Sequence, residues 1–187
     1  MSANLIKTSL LALALGASTA ASAADFSYNY VEGGFGEIDH GDGLFVNAAH
    51  DIQKNIGLVG GIFIGNYDPS VDVTAIEFGA QYHQPIKSNL GFNAGLKILH
   101  VNVDLPAWAN GKDSDTGLIA NAGLRFRVQP RIDLEGDLKL STNDLIDDGL
   151  GADLGARFHV DPHLSFAAGL AVDTELDGLY LSARYDL

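Results

Sequence analysis

The sequence has no cysteine. That excludes disulfide staples, thiolate metal sites and cysteine nucleophiles, and it removes the usual stabilising device of a small exported domain. Positive charge is scarce: 11 Lys and Arg stand against 24 Asp and Glu, a formal charge of −13. A chain so poor in basic residues has no face for a phosphate backbone, so nucleic acid is excluded as a partner. Charged residues together reach only 19%, below the usual quarter. Beyond residue 24 no apolar run approaches the ~20 residues of a spanning helix, and helical i, i+3, i+4 stripes are missing too. What is present is 47% hydrophobic residues, 22 Gly and a mean hydropathy of +0.10. The chain is acidic yet apolar on average, and too apolar for disorder.

Residues 1–23 read as a secretory signal peptide. Lys7 supplies a basic start, residues 10–16 a short apolar stretch, and Ala21-Ser22-Ala23 a small-x-small cleavage site. Residues 24–187 are then one domain that has to persist in an oxidising compartment without disulfides.

That domain is written in period two. Ile132, Leu134, Gly136, Leu138 and Leu140 share one face; Asp133, Glu135, Asp137, Lys139 and Ser141 share the other. Leu118, Ala120, Ala122, Leu124, Phe126 and Val128 alternate with a face that carries Asn121, Arg125 and Arg127. Leu150, Ala152, Leu154, Ala156, Phe158 and Val160 alternate with Asp153, Arg157 and His159. These are strands with one apolar and one polar face. Ten such segments are predicted: 26–37, 44–50, 56–66, 73–84, 90–103, 116–128, 132–142, 149–160, 164–174 and 179–187. Most match the ~9–11 residues that a tilted strand needs to span a bilayer. Gly33-Gly34 predicts a bulge in the first.

The connections alternate in character. One set is tight and holds Lys54, Lys87 and Arg131; the other is acidic and holds more than half of the 24 carboxylates. A meander with two unlike ends follows. Tyr82, Phe92, Phe126, Phe158, Phe166 and Tyr185 all fall on apolar faces at one distance from the tight-turn end. A soluble core has no reason to level its rings, whereas a membrane interface does. Lipid also forbids unpaired backbone groups, so such strands can span only as a closed barrel. The expected fold is therefore all-β: a closed antiparallel up-and-down transmembrane barrel of about ten strands, with eight as the alternative.

The opening Tyr28-Asn29-Tyr30-Val31-Glu32-Gly33-Gly34, the acidic loops and the alternating last strand resemble the small outer-membrane β-barrel proteins of Gram-negative bacteria. That group includes porin-like and opacity-protein-like barrels and the membrane domain of OmpA. The resemblance implies insertion by the barrel-assembly machinery through the C-terminal strand, and contact with outer-membrane lipid and lipopolysaccharide. Those barrels usually end in Phe; this chain ends in Leu187, with Tyr185 two places before it.

The polar faces carry an ordered charge set: Arg125, Arg127, Asp133, Glu135, Asp137, Lys139, Asp153, Arg157 and Arg184. With a turn at 129–131, Arg127 faces Asp133 and Arg125 faces Glu135, while the next hairpin brings Arg157 beside Asp133. Such charges would knit a plug or line a narrow pore. No catalytic residue and no cofactor are expected. His40, His50, His83, His100, His159 and His163 lack metal-ligand spacing, though Asp42, Asp68, Asp72, Asp113, Asp115, Asp144, Asp147 and Asp148 could gather divalent cations that bridge to lipopolysaccharide. His163-Leu164-Ser165 resembles the His-x-Ser of lipid A deacylases, at the wrong end of the barrel for that chemistry. The expected role is that of a structural or surface-interaction barrel and not an enzyme; the alternative is a narrow channel for small, preferentially cationic solutes, and a lipid A-modifying enzyme comes third.

Overall fold

Alternation of apolar and polar residues favours extended backbone, because successive side chains then leave on opposite faces. In the computed structural model ten strands follow one another: β1 (Tyr30–Ile38), β2 (Gly41–Gln53), β3 (Ile56–Tyr67), β4 (Asp72–Lys87), β5 (Leu90–Asp104), β6 (Lys112–Gln129), β7 (Ile132–Asn143), β8 (Asp147–His159), β9 (Leu164–Val172) and β10 (Asp177–Asp186). The structure describes residues 26–38, 41–67, 71–106, 111–145, 147–172 and 177–187. The expected signal peptide and the loop residues His40 and Asp68 lie outside these. Each strand pairs antiparallel with its neighbour in sequence, and β1 closes on β10 from Tyr30↔Asp186 to Ile38↔Gly178. The fold is a closed ten-stranded up-and-down barrel with no free edge, and the eight-strand alternative is set aside.

Burial shows which face is outside. Leu138 is 59% exposed and Leu154 56%, whereas Asp133 is 0% and Arg157 2% exposed. A water-soluble barrel would reverse these values. Exposed aliphatics on every strand form a continuous apolar belt, which only a bilayer can cover. The expected aromatic girdle lies on this outer face. Phe158 stands opposite Phe166 across β8 and β9, Phe92 opposite Leu124, and Tyr185 opposite Val31. The Tyr82 hydroxyl donates to Gln84 beside it.

The tight connections are built as their residues predict. Lys54-Asn55 joins β2 to β3, and Asn55 takes φ 75°, the left-handed conformation that a two-residue hairpin of this kind needs. In the turn between β8 and β9, Asp161 Oδ1 accepts from the backbone N–H groups of His163 and Leu164, both at 2.8 Å. The two N–H groups hold its carboxyl below the usual carboxylate range.

Three expectations are corrected. Gly33-Gly34 is not a bulge: β1 runs in unbroken register against β2 and β10. Gly34 instead makes room, since a Cβ there would collide with the Leu181 carbonyl and the Phe45 ring. Register shifts occur beside the tight turns, at Asp51/Gln53, Pro85/Lys87 and Arg127/Gln129. Residues 26–29 are not strand. Finally, β4, β5 and β6 reach 16, 15 and 18 residues, longer than predicted. The acidic stretch that reads as loop pairs as ladder, with Asp104↔Lys112 and a 2.8 Å ion pair at its tip. Its outer face has turned polar (Thr74, His100, Asn102, Ser114, Thr116), so it rises past the apolar belt. His100 Nδ1 and Thr116 Oγ1 meet there at 2.8 Å.

Candidate functional site

The inward face of each strand supplies every second residue, and the antiparallel register stacks them in levels. At the tight-turn end, Arg127 holds Asp133 in two bonds, Nε to Oδ1 at 2.6 Å and Nη2 to Oδ2 at 2.9 Å. His159 Nε2 meets the same carboxylate at 2.9 Å. One level higher, Arg125 Nε donates to Glu135 Oε1 at 2.7 Å, and Arg157 Nε donates to that oxygen at 2.8 Å. Arg157 Nη2 then reaches across to Glu32 Oε1 at 2.8 Å. Arg184 Nε donates to Glu32 Oε2 at 2.9 Å, and Ser182 donates to its other oxygen. The chain Arg125–Glu135–Arg157–Glu32–Arg184 thus ties β6, β7, β8, β1 and β10 together through the bore. Charge-assisted, partly bidentate contacts of this kind are the strong class of hydrogen bond.

Residues 26–29 fill what the network leaves at this end. The Phe26 ring lies beneath two guanidiniums, 5.5 Å from Arg125 Cζ and 5.1 Å from Arg127 Cζ. Tyr28 stacks on His83 with ring centroids 3.7 Å apart. Toward the loop end the inner wall is built differently. Val73, Ala75, Leu99, Val101, Val103 and Ile119 point inward from β4, β5 and β6 and form a dry cluster, with Phe63, Val71, Leu105 and Leu145 packed on it. Between these two regions lies a cavity of about 440 Å³, lined by Asn47, Glu77, Asn93, Lys97, Asn121, Asp137, Lys139 and Asp153 among others. Lys97 donates to both Glu77 oxygens at 2.8 Å, and Asn121 donates to Asp137 at 3.0 Å.

All nine charged residues expected in the lumen face it. The predicted oppositions Arg127↔Asp133, Arg125↔Glu135 and Asp133↔Arg157 are Cα partners. Arg157 nevertheless bonds Glu135 and Glu32 rather than Asp133, because Arg127 and His159 already saturate that carboxylate. Asp137, Lys139 and Asp153 line the cavity. Glu32, Glu77 and Lys97 are lumen residues that the period-two reading passed over. The alternation was there to find them: Val31 and Phe35 outside against Glu32 inside, Ile76 and Phe78 outside against Glu77. The His163/Ser165 pair does not assemble. Ser165 is fully buried beside Arg157, whereas exposed His163 stacks on outward Tyr185. Among the described residues no cluster of three or more His, Asp or Glu could hold a metal.

The family described as outer membrane protein beta-barrel domain matches residues 8–178. No curated protein matches the chain by sequence. Among solved structures, a KdgM porin is similar at TM-score 0.53 and 9% identity, covering 84% of this chain and 99% of its own. A NanC porin is similar at TM-score 0.50 and 10% identity, with the same two coverages. At such identities the likeness concerns the fold alone.

Proposed function

The chain belongs to the outer membrane β-barrel family, and we propose that within it the protein is a structural or surface-interaction barrel rather than an open channel. Family membership carries with it the outer membrane of a Gram-negative cell. The observation behind the closed reading is how much of the bore is filled: a salt-bridge network with residues 26–29 at one end, and an aliphatic cluster on the inner wall of β4, β5 and β6 toward the other. A barrel of this size is narrow enough for side chains to fill it. The acidic rim would meet lipopolysaccharide through divalent cations, and β10 would be read by the barrel-assembly machinery. No catalytic role is proposed, in keeping with the separation of His163 from Ser165 by the barrel wall.

The test is conductance of the purified protein in planar bilayers. A closed barrel shows no stable steps; ohmic steps in every insertion event would refute the reading. They would favour the second reading, a narrow channel for small cations, whose supporting observation is the polar cavity of about 440 Å³ already in the bore. The third reading, lipid A modification, predicts a mass change in lipid A from cells expressing the protein. An unchanged spectrum is expected.

A further inference from the structure

We propose that the tight-turn mouth of the barrel is a binding site for an aromatic peptide segment, and that this chain's own residues 26–29 occupy it as a releasable plug. In the ten-strand ring β1 and β6 stand diametrically opposite. The segment leaves β1 at Tyr30 and puts Phe26 against Arg125 and Arg127 on β6, so it crosses the whole bore. Four kinds of contact hold it. Phe26 offers its face to two guanidiniums. Arg125 Nη1 donates to the Ser27 carbonyl at 3.3 Å. Tyr28 lies flat on His83, at an interplanar angle of 14°. Asn29 Oδ1 accepts from the Asp51 N–H at 2.7 Å. His83 is itself held for this stacking by Asp51, Nε2 to Oδ1 at 2.7 Å.

The opposite wall is shaped to receive the segment. Gly91 on β5 faces inward, and a Cβ there would come within 3.0 Å of both the Phe26 ring and the Tyr28 hydroxyl. A side chain at this position would compete with the plug for space.

The plug can leave without opening the barrel. Residues 26–28 take part in no strand pairing, while Asn29 is pinned by the Leu187 N–H at 2.9 Å and marks the hinge. Every guanidinium that touches Phe26 keeps a carboxylate partner: Arg125 keeps Glu135 and Arg127 keeps Asp133. Release therefore strands no buried charge. It exposes the cavity to the tight-turn side and leaves the aliphatic cluster on β4, β5 and β6 in place.

The inference rests on the closed-lumen reading, and thiol labelling separates the two. Because the chain has no cysteine, Asn47→Cys places a single thiol in the cavity wall. Its modification by a water-soluble cationic methanethiosulfonate measures how often the mouth is open. Adding Phe26→Ala and Tyr28→Ala should raise the rate about tenfold, the scale of one or two lost cation–π contacts. Gly91→Val, which leaves both rings intact but takes their space, should do the same, and it decides the matter if the double alanine variant fails to fold. Heat-modifiable gel mobility reports that each variant remains a barrel. Folded variants that label no faster than the Asn47→Cys parent overturn the plug, as does a parent that labels at the rate of free thiol. Conductance of the parent in bilayers would instead sink the closed-lumen reading.

Discussion

Glu32 is a carboxylate whose loss should harm the barrel. It accepts from Arg157 Nη2 at 2.8 Å, from Arg184 Nε at 2.9 Å and from Ser182, and its side chain is only 7% exposed. Glu32→Ala leaves two guanidiniums facing an empty site. Removing one partner of a buried pair costs about 3–5 kcal/mol. The lower end applies, because Arg157 keeps Glu135 and the Tyr30 ring still covers Arg184, 3.8 Å from its Cζ. With a urea slope of about 1–3 kcal/mol/M, a loss of ~3 kcal/mol lowers the unfolding midpoint by about 1–3 M. The assay is urea unfolding in lipid vesicles, followed by heat-modifiable gel mobility. Adding Arg184→Ala should recover part of the loss, with a coupling of about 1–3 kcal/mol. A single-variant loss below ~1 kcal/mol, or strict additivity in the double, would mean that the Glu32 carboxylate is solvated and the network does not cross the bore.

Four further outcomes follow from other parts of the wall. Leu138→Arg puts a charge into the lipid belt and should cost ~2–4 kcal/mol, whereas Asn121→Ser on the lumen side should cost far less; equal unfolding midpoints would reverse inside and outside. Deleting residues 185–187 removes the Tyr185↔Val31 pair and the bond that pins Asn29, and outer-membrane yield measured by fractionation should collapse, while Leu187→Phe should insert at least as well as the parent. Asp161 has a folded pKa below its unfolded one, so it stabilises the barrel above the unfolded value and loses that contribution as pH falls through the folded one. Unfolding midpoints of Asp161→Ala should therefore lie below those of the parent at neutral pH and converge with them as pH falls through the lowered folded value; a gap independent of pH would show that the carboxylate does not hold the turn.

The barrel was legible in the sequence because lipid and lumen impose opposite demands on adjacent residues. Leu134, Glu135, Gly136 and Asp137 can satisfy both only as a strand, and a slip of one residue would put every charge into lipid. The 129–131 turn then determined the facing pairs by simple counting. Two features escaped for physical reasons. Acidic composition reads as loop, yet Asp104 and Lys112 end a paired ladder, because above the membrane the outer face of β5 and β6 is free to be polar. Counting along hairpins also finds only neighbours on adjacent strands. Arg157 and Glu32 belong to strands three apart around the ring and meet across the bore, at a sequence separation of 125. Nothing local in either segment announces that contact; it exists only once closure has brought β1 round to β10.

Closure also accounts for how an exported domain of this size persists without a disulfide. Its apolar residues are turned outward, so the membrane takes the place of the hydrophobic core. What remains inside must then be held by polar contacts, which in a half-dry lumen stabilise only if every partner is satisfied. At the tight-turn end two rows of guanidiniums and carboxylates satisfy one another, and the Tyr28 hydroxyl and Asp186 Oδ1 are buried beside them without a hydrogen-bond partner among the described residues; toward the loop end the inner wall uses Val73, Leu99, Val101 and Ile119 instead. The two solutions have different consequences. A dry aliphatic cluster has no alternative partner for water or solute to offer. The charged mouth does, since its arginines can bind any carboxylate or aromatic face of the right shape. Any motion that opens the lumen should therefore begin at the tight-turn end, where residues 26–29 now lie.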